Sequence, residues 1–103
     1  MARQSKIWDV IVIGGGSSGL MAGAVASSRH LSVLVLEKNK NLGEKLKITG
    51  GGRCNITNKE PDIHKLLKVY GEGSPYLYTP FSIFGVKETF EYFESRGLPL
   101  VVQ

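Results

Sequence analysis

A single cysteine, Cys54, stands in this chain of 103 residues. No internal disulfide or multi-thiolate metal site can form from it, and a reducing compartment suits it at least as well as an extracellular one. The two histidines, His30 and His64, are isolated in sequence and lack the spacing of metal ligands, so no metal site is expected. Long apolar runs are also missing. No stretch reaches the about 18 uninterrupted apolar residues of a membrane-spanning helix. Arg3 and Lys6 precede an apolar stretch that runs on to Ala24, Val25 and Ala26, the outline of a secretory signal, but Asp9 and a glycine run interrupt it. A cytoplasmic protein with no membrane contact is therefore expected.

What is present is ordinary for a globular chain. Hydrophobic residues make up 42% and charged residues 21%, which argues against a disordered tail or a fibrous repeat. Lys and Arg number 13 against 9 Asp and Glu, a net charge of +4 that suits a phosphate-bearing ligand without identifying nucleic acid as the partner. A length of 103 residues is short for a doubly wound sheet covered on both faces, so a complete enzyme is not expected within it.

Residues Ile7 to Ile13 read I-W-D-V-I-V-I, a β-branched run bounded by glycines, as expected for a strand buried on both faces of a parallel sheet. Residues Ser18 to Arg29 are small or helix-compatible, with Leu20, Ala24 and Ser27 on one side, which predicts a close-packed helix. Leu31 to Leu36 is a second apolar run ending at Glu37. Together these form a β-α-β unit with a right-handed crossover. Asn39 to Lys47 and Thr49 to Asn58 read as a long irregular segment, and long ordered loops usually carry function. Asp62 caps a short helix reaching Tyr70; Gly71, Gly73 and Pro75 break it, and Pro80 interrupts the stretch beyond them. A better helix spans Lys87 to Ser95, with Val86, Phe90 and Phe93 on one face and Gly97 as its stop, and Leu98 to Val102 reads as extended.

The first motif is Gly14-Gly15-Gly16-Ser17-Ser18-Gly19, a G-x-G-x-x-G between strand and helix. Gly14 permits the turn, Gly16 lets the backbone approach a pyrophosphate, and Gly19 lets the helix lie against the strands. The helix N-terminus offers unpaired N–H groups and the positive end of its dipole. By itself the hexapeptide is also compatible with a glycine-rich turn that binds nothing. Glu37 strengthens the ligand reading: 18 residues beyond Gly19, at the end of the second strand, it can accept hydrogen bonds from adenosine ribose hydroxyls. The same carboxylate would repel a 2′-phosphate, which argues against NADP in this cradle. FAD and NAD both remain, since each carries adenosine diphosphate.

The second motif is Thr49-Gly50-Gly51-Gly52-Arg53-Cys54-Asn55-Ile56-Thr57-Asn58. It resembles the G-G-G-R-C-N-x-T-N run of the BaiN/RdsA-like (YhiN-type) flavoprotein family. The approach to it, Glu37-Lys38-Asn39-Lys40-Asn41-Leu42-Gly43-Glu44-Lys45-Leu46, is similar to that family's E-K-x-x-x-x-G-x-K-L pattern. The resemblance covers essentially the whole chain. It implies an α/β, Rossmann-like FAD-binding fold of glutathione-reductase type, present here as its N-terminal part over residues 1–103. It also implies an FAD-dependent oxidoreductase that takes a hydride from NADH or NADPH and passes it to an unsaturated substrate, either a uridine base in ribosomal RNA or a small metabolite.

Beside a flavin the decapeptide makes chemical sense: consecutive glycines let main-chain amides approach a planar ring, Arg53 can offset the charge of a reduced anionic flavin, and Asn55 both donates and accepts. Without the resemblance, an ordered glycine loop with Arg53 on a neighbouring carboxylate fits as well. The cofactor-binding candidates are thus Gly14, Gly15, Gly16, Ser17, Ser18, Gly19, Glu37, Lys38, Lys45, Thr49, Gly50, Gly51, Gly52, Arg53, Cys54 and Asn55. Lys38, Lys45 and Lys47 are candidates for phosphate contact, although single lysines are more often solvated charges. A lone Cys54 more often packs than reacts. Tyr70, Tyr76, Tyr78, Phe81 and Phe84 could line a cofactor, with core packing the safer reading. No catalytic acid or base is identified, and oligomeric state is open. A non-catalytic module that holds an adenine dinucleotide is the alternative function.

Overall fold

The structure, a computed structural model, describes residues 5–103. It divides into two compact units, Met1–Asn55 and Ile56–Gln103.

The first unit contains β1 (Val10–Ile13), α1 (Ser17–Ser28), β2 (Val33–Leu36), α2 (Glu44–Ile48) and a 3₁₀ turn over Thr49–Gly52. The two strands pair in parallel, Val10 opposite Val33 through Ile13 opposite Leu36. This is the β-α-β unit expected, with both strands shorter than their apolar runs. Asp9 and Ser32 account for the shortening. The Ser32 N–H and hydroxyl both donate to Asp9 Oδ2 at 2.8 Å, and Asp9 N–H donates back to the Ser32 hydroxyl at 3.0 Å. Side-chain bonding thus joins the backbone bonds just before Val10 and Val33, where the N–H groups of Asp9 and Val10 both donate to the Ser32 carbonyl at 3.1 Å. These hydrogen bonds hold the Asp9 carboxyl below its usual range, the Ser32 backbone N–H contributing most and its hydroxyl next.

Two expectations are corrected in this unit. β1 is not buried on both faces: Ile11 is 53% and Ile13 79% exposed, because among the described residues it has a single strand neighbour, β2. α1 lies on the strands through Gly19 and Gly23; of the expected side, Leu20 is half-buried but Ala24 and Ser27 are exposed. Gly23 is buried, and a Cβ there would stand 3.2 Å from Val35 Cγ2; a Cβ on Gly19 would overlap the Gly14 carbonyl oxygen. Glycines four apart lie on one helical face and bring its backbone onto the strands.

The second unit is helical: α3 (Ile63–Lys68), a 3₁₀ turn over Gly71–Gly73, α4 (Ser74–Ile83) and α5 (Val86–Glu94). Asp62 caps α3 as expected, its Oδ1 accepting from the N–H groups of His64 at 2.9 Å and Lys65 at 3.0 Å. Pro75 starts α4 instead of merely ending the helix before it, and Pro80 sits inside α4, so the expected interruption does not occur. A proline in the first turn forfeits no intrahelical bond. α5 starts where Glu88 accepts from the Gly85 N–H at 2.9 Å, half of a capping box. It ends as expected at Gly97 (φ 86°), with Leu98 N–H reaching back to the Phe93 carbonyl at 3.0 Å. Leu98 to Val102 forms no strand. Among the described residues the buried apolar side chains are Leu66, Leu67 and Val86, all of this unit. Core packing is expected of Tyr70, Tyr76, Tyr78, Phe81 and Phe84, but only Phe81 is half-buried and the other four are exposed; Tyr70 meets Phe81 at a tilt and Phe84 meets Tyr92 edge-on, with ring centroids 5.6 and 5.9 Å apart.

Candidate functional site

β1 ends at Ile13 and the chain turns through Gly14, at φ 99°, into the first turn of α1. That turn has no side-chain cap: Gly16 occupies the N-cap and has no side-chain oxygen with which to satisfy the first amides. The first intrahelical bond runs from Leu20 N–H to the Gly16 carbonyl at 2.9 Å. The N–H groups of Ser17, Ser18 and Gly19 stand ahead of it, at the positive end of a 12-residue helix. A Cβ on Gly16 would meet nothing within 4 Å, so the backbone there faces open space. A pyrophosphate needs both of these features, room at the loop and donors without partners.

Glu37 follows β2 and is half-buried beside this loop. Its Oε1 accepts the Gly15 N–H at 3.0 Å, and its Oε2 accepts the Asn39 N–H at 2.8 Å. These bonds, Asn39 first and Gly15 second, lower the Glu37 pKa from the usual glutamate range, so the group is ionised at neutral pH. A carboxylate offers about four lone-pair sites, so two amides leave capacity for ribose hydroxyls. The parallel register brings the end of β2 beside the loop after β1: Ile13 lies opposite Leu36, and Gly14 N–H donates to the Leu36 carbonyl at 2.7 Å.

The second motif is locally folded. An irregular segment is expected from the residues before it, but α2 forms there and leads straight into Thr49–Gly52, where Gly50 and Gly51 have left-handed backbones at φ 67° and 57°. The Thr49 hydroxyl donates to the Leu46 carbonyl at 3.3 Å, and Arg53 N–H to the Gly50 carbonyl at 3.0 Å. Arg53, Cys54 and Asn55 are exposed, so Cys54 does not take the packed position expected of a lone cysteine. Lys38 and Lys45 are exposed as well, and Lys47 lies 4.0 Å from Glu44 in a solvated pair. The structure thus joins Gly15 to Glu37 directly and presents the second glycine loop as a separate turn.

Two residues of this site, Leu42 and Gly43, are not among the sequence candidates, although Gly43 is the fixed glycine of the E-K-x-x-x-x-G-x-K-L pattern. The Leu42 side chain lies where a Cβ on Gly15 would stand, and Gly43 N–H donates to the Gly15 carbonyl at 2.8 Å. The signal available is Gly43 directly before the helix-compatible run Glu44 to Ile48. A five-residue helix is too short to stand out from its loop by periodicity.

Residues 8–103 match the model described as the HI0933-like protein Rossmann domain. The chain is 40% identical over 90 residues to the 3-dehydro-bile acid delta(4,6)-reductase of Clostridium scindens, covering 84% of this chain and 21% of that protein. It is 41% identical over 51 residues to the ribosomal RNA dihydrouridine synthase of Escherichia coli, 50% of this chain and 13% of that one. A match of 42% over 45 residues joins it to the 3-oxosteroid 1-dehydrogenase of Mycobacterium tuberculosis, 44% of this chain and 8% of the enzyme. The chain therefore spans a small fraction of the length of the curated relatives it matches. No helix among the described residues is long and apolar enough to cross a membrane. With a parallel β-α-β unit, an acid at the end of its second strand and a family match from residue 8 to residue 103, the chain belongs to the HI0933-like family through its Rossmann domain.

Proposed function

We propose that residues 1–103 are the N-terminal part of an FAD-binding domain, and that the protein is a flavin-dependent oxidoreductase. The observation that carries this reading is the meeting of Glu37 with the fingerprint loop at Gly15, which puts a ribose acceptor next to a phosphate cradle. The residues fit an adenine dinucleotide. Open space at Gly16 and the uncapped start of α1 accommodate phosphates, with the amides of Ser17, Ser18 and Gly19 as donors. Glu37, held ionised, accepts from the adenosine ribose.

FAD, when bound, supplies the two-electron redox chemistry. This chain binds and orients it. The Thr49–Gly52 turn offers main-chain amides without side chains in the way, Arg53 brings positive charge, and Asn55 can donate and accept. Lys38 and Lys45 add positive charge near the phosphates, and Cys54 contributes its backbone to the second loop, not thiol chemistry. NADH or NADPH is the proposed reductant, and the protein is proposed to be cytoplasmic. For the substrate, an unsaturated small molecule is favoured over an RNA uridine, because the likeness to the bile acid reductase runs over more of the chain than the likeness to the dihydrouridine synthase.

A visible spectrum of the purified protein tests the reading. Flavin bands that bleach on addition of NADH or NADPH are expected; a colourless protein that binds NAD would establish a non-catalytic dinucleotide module instead. Glu37→Ala is expected to weaken FAD binding about tenfold or more, as for hydrogen bonds to a charged group, and unchanged FAD content would remove Glu37 from the site. Arg53→Ala is expected to keep FAD but lower its reduction potential, since a cation stabilises the reduced anion.

A further inference from the structure

We propose that Gly43, backed by Leu42, is a positioning residue for the cofactor: it latches the segment carrying the ribose acid onto the phosphate loop through Gly15. The proposal rests on the FAD reading above and says how the cradle keeps its shape.

Gly15 is the unspecified middle position of the fingerprint, yet it is buried, and both of its backbone groups are taken by one segment. Its N–H goes to Glu37 and its carbonyl accepts from Gly43. Leu42 closes over its α-carbon. Gly15 is therefore a hub between two loops, and its amide is not among the phosphate donors, which leaves that task to the first turn of α1.

Gly43 can reach the Gly15 carbonyl only because its own backbone is left-handed, at φ 67° and ψ 29°. A side chain would find space there, since an added Cβ would stand 3.6 Å from the nearest atoms of Leu20 and Leu46, an ordinary contact. The obstacle to substitution is the backbone conformation alone. Asparagine tolerates that conformation far better than alanine, and valine tolerates it worst. Because Gly43 is also the N-cap of α2, the latch fixes where the chain toward Thr49–Gly52 begins. One hydrogen bond thus keeps the ribose acid and the approach to the second glycine loop in register with the phosphate loop.

The test measures FAD dissociation constants of the whole purified protein by flavin fluorescence, with far-UV circular dichroism as a control for folding. Gly43→Ala is expected to weaken FAD about tenfold, and Gly43→Asn to stay within about threefold of wild type, a rescue that side-chain volume alone would not give. If Gly43→Val fails to fold, the alanine and asparagine pair carries the comparison. In a Glu37→Gln background, adding Gly43→Ala is expected to cost about threefold or less, because both changes release the same turn. Fully additive losses, or an alanine variant within about twofold of wild type, would overturn the latch while leaving the FAD reading intact. A wild-type protein that takes up no FAD would overturn the functional reading and the latch with it.

Discussion

Most glycines lie in the first unit and most aromatic residues in the second. Both glycine-rich loops, Gly23 and Gly43 lie before Asn55, whereas every tyrosine and phenylalanine lies after it, Trp8 being the one aromatic of the first unit. The excess of positive charge follows the glycines: Asp9, Glu37 and Glu44 are the only acids in residues 1–55, while residues 56–103 carry more acid than base. The first unit holds together by backbone laid on backbone, at Gly14 and Gly19, and by carboxylates bonded to amides at Asp9 and Glu37. The second holds together by Leu66, Leu67, Val86 and aromatic rings in tilted and edge-to-face contact. Glycine contact leaves main-chain donors near open space, which a phosphate can use, and side-chain packing consumes the apolar surface it gathers. The proposed ligand site and the aromatic contacts therefore fall in different parts of this chain.

Gly19→Ala should break the first unit most severely. Its Cβ would overlap a backbone oxygen, which cannot swing aside as a side chain can, and the expected loss is about 3 kcal/mol, the upper end for overpacking. Urea unfolding followed at the amides of β1 and β2 by hydrogen exchange measures it; a loss under about 1 kcal/mol would mean the glycine contact does not hold α1 to the strands. In the second unit, Leu66→Ala should cost about 2–3 kcal/mol, at the low end for core truncation because few side chains there are buried. A near-neutral result, read from tyrosine circular dichroism during unfolding, would erase the contrast in packing.

A smaller effect sharpens the comparison from the other side. His30, between α1 and β2, has a left-handed backbone (φ 62°) where glycine has the advantage. His30→Gly should raise stability by about 1 kcal/mol in a thermal melt, and no gain would show that His30 compensates through contacts of its side chain.

The smallest expected difference concerns acid. Asp9 and Glu37 in the first unit, and Asp62 and Glu88 in the second, all have lowered carboxyl pKa values, each through backbone N–H donors. A carboxyl whose folded pKa is depressed binds protons more readily unfolded. Its contribution is fully present above the ordinary carboxylate pKa and is lost as the pH falls through the folded value. Both units should therefore weaken together in acid, seen as urea midpoints falling as the pH drops below the ordinary carboxylate range of about 4. Glu37→Gln should flatten that slope in the first unit alone; equal slopes in wild type and variant would remove Glu37 as a titrating anchor.

Much of this is legible in the residues. The β-α-β unit follows from two β-branched runs around a glycine hexapeptide, and the Asp62 cap and the Gly97 stop follow from local chemistry that involves only near neighbours. Which groups meet across long separations is not legible. Helical spacing puts Leu20, Ala24 and Ser27 on the packed side of α1, but Ala24 and Ser27 are exposed and Gly19 and Gly23 face the strands, because small residues allow the closest approach to Val12 and Val35. Pro80 has the look of a break, yet a proline can persist in a helix when surrounding contacts offset the missing donor.

By itself the sequence determined the elements and the chemical types available at the loops: glycines where backbone must come close, an acid closing a strand, a cation after the second glycine run. Those are properties of single residues and short windows, set by backbone sterics and charge. Tertiary structure decided that Gly15, Glu37, Leu42 and Gly43 form one hub. Parallel pairing puts the end of β2 beside the start of α1, and the hydrogen bond from Gly43 to Gly15 depends on that register and not on any local preference.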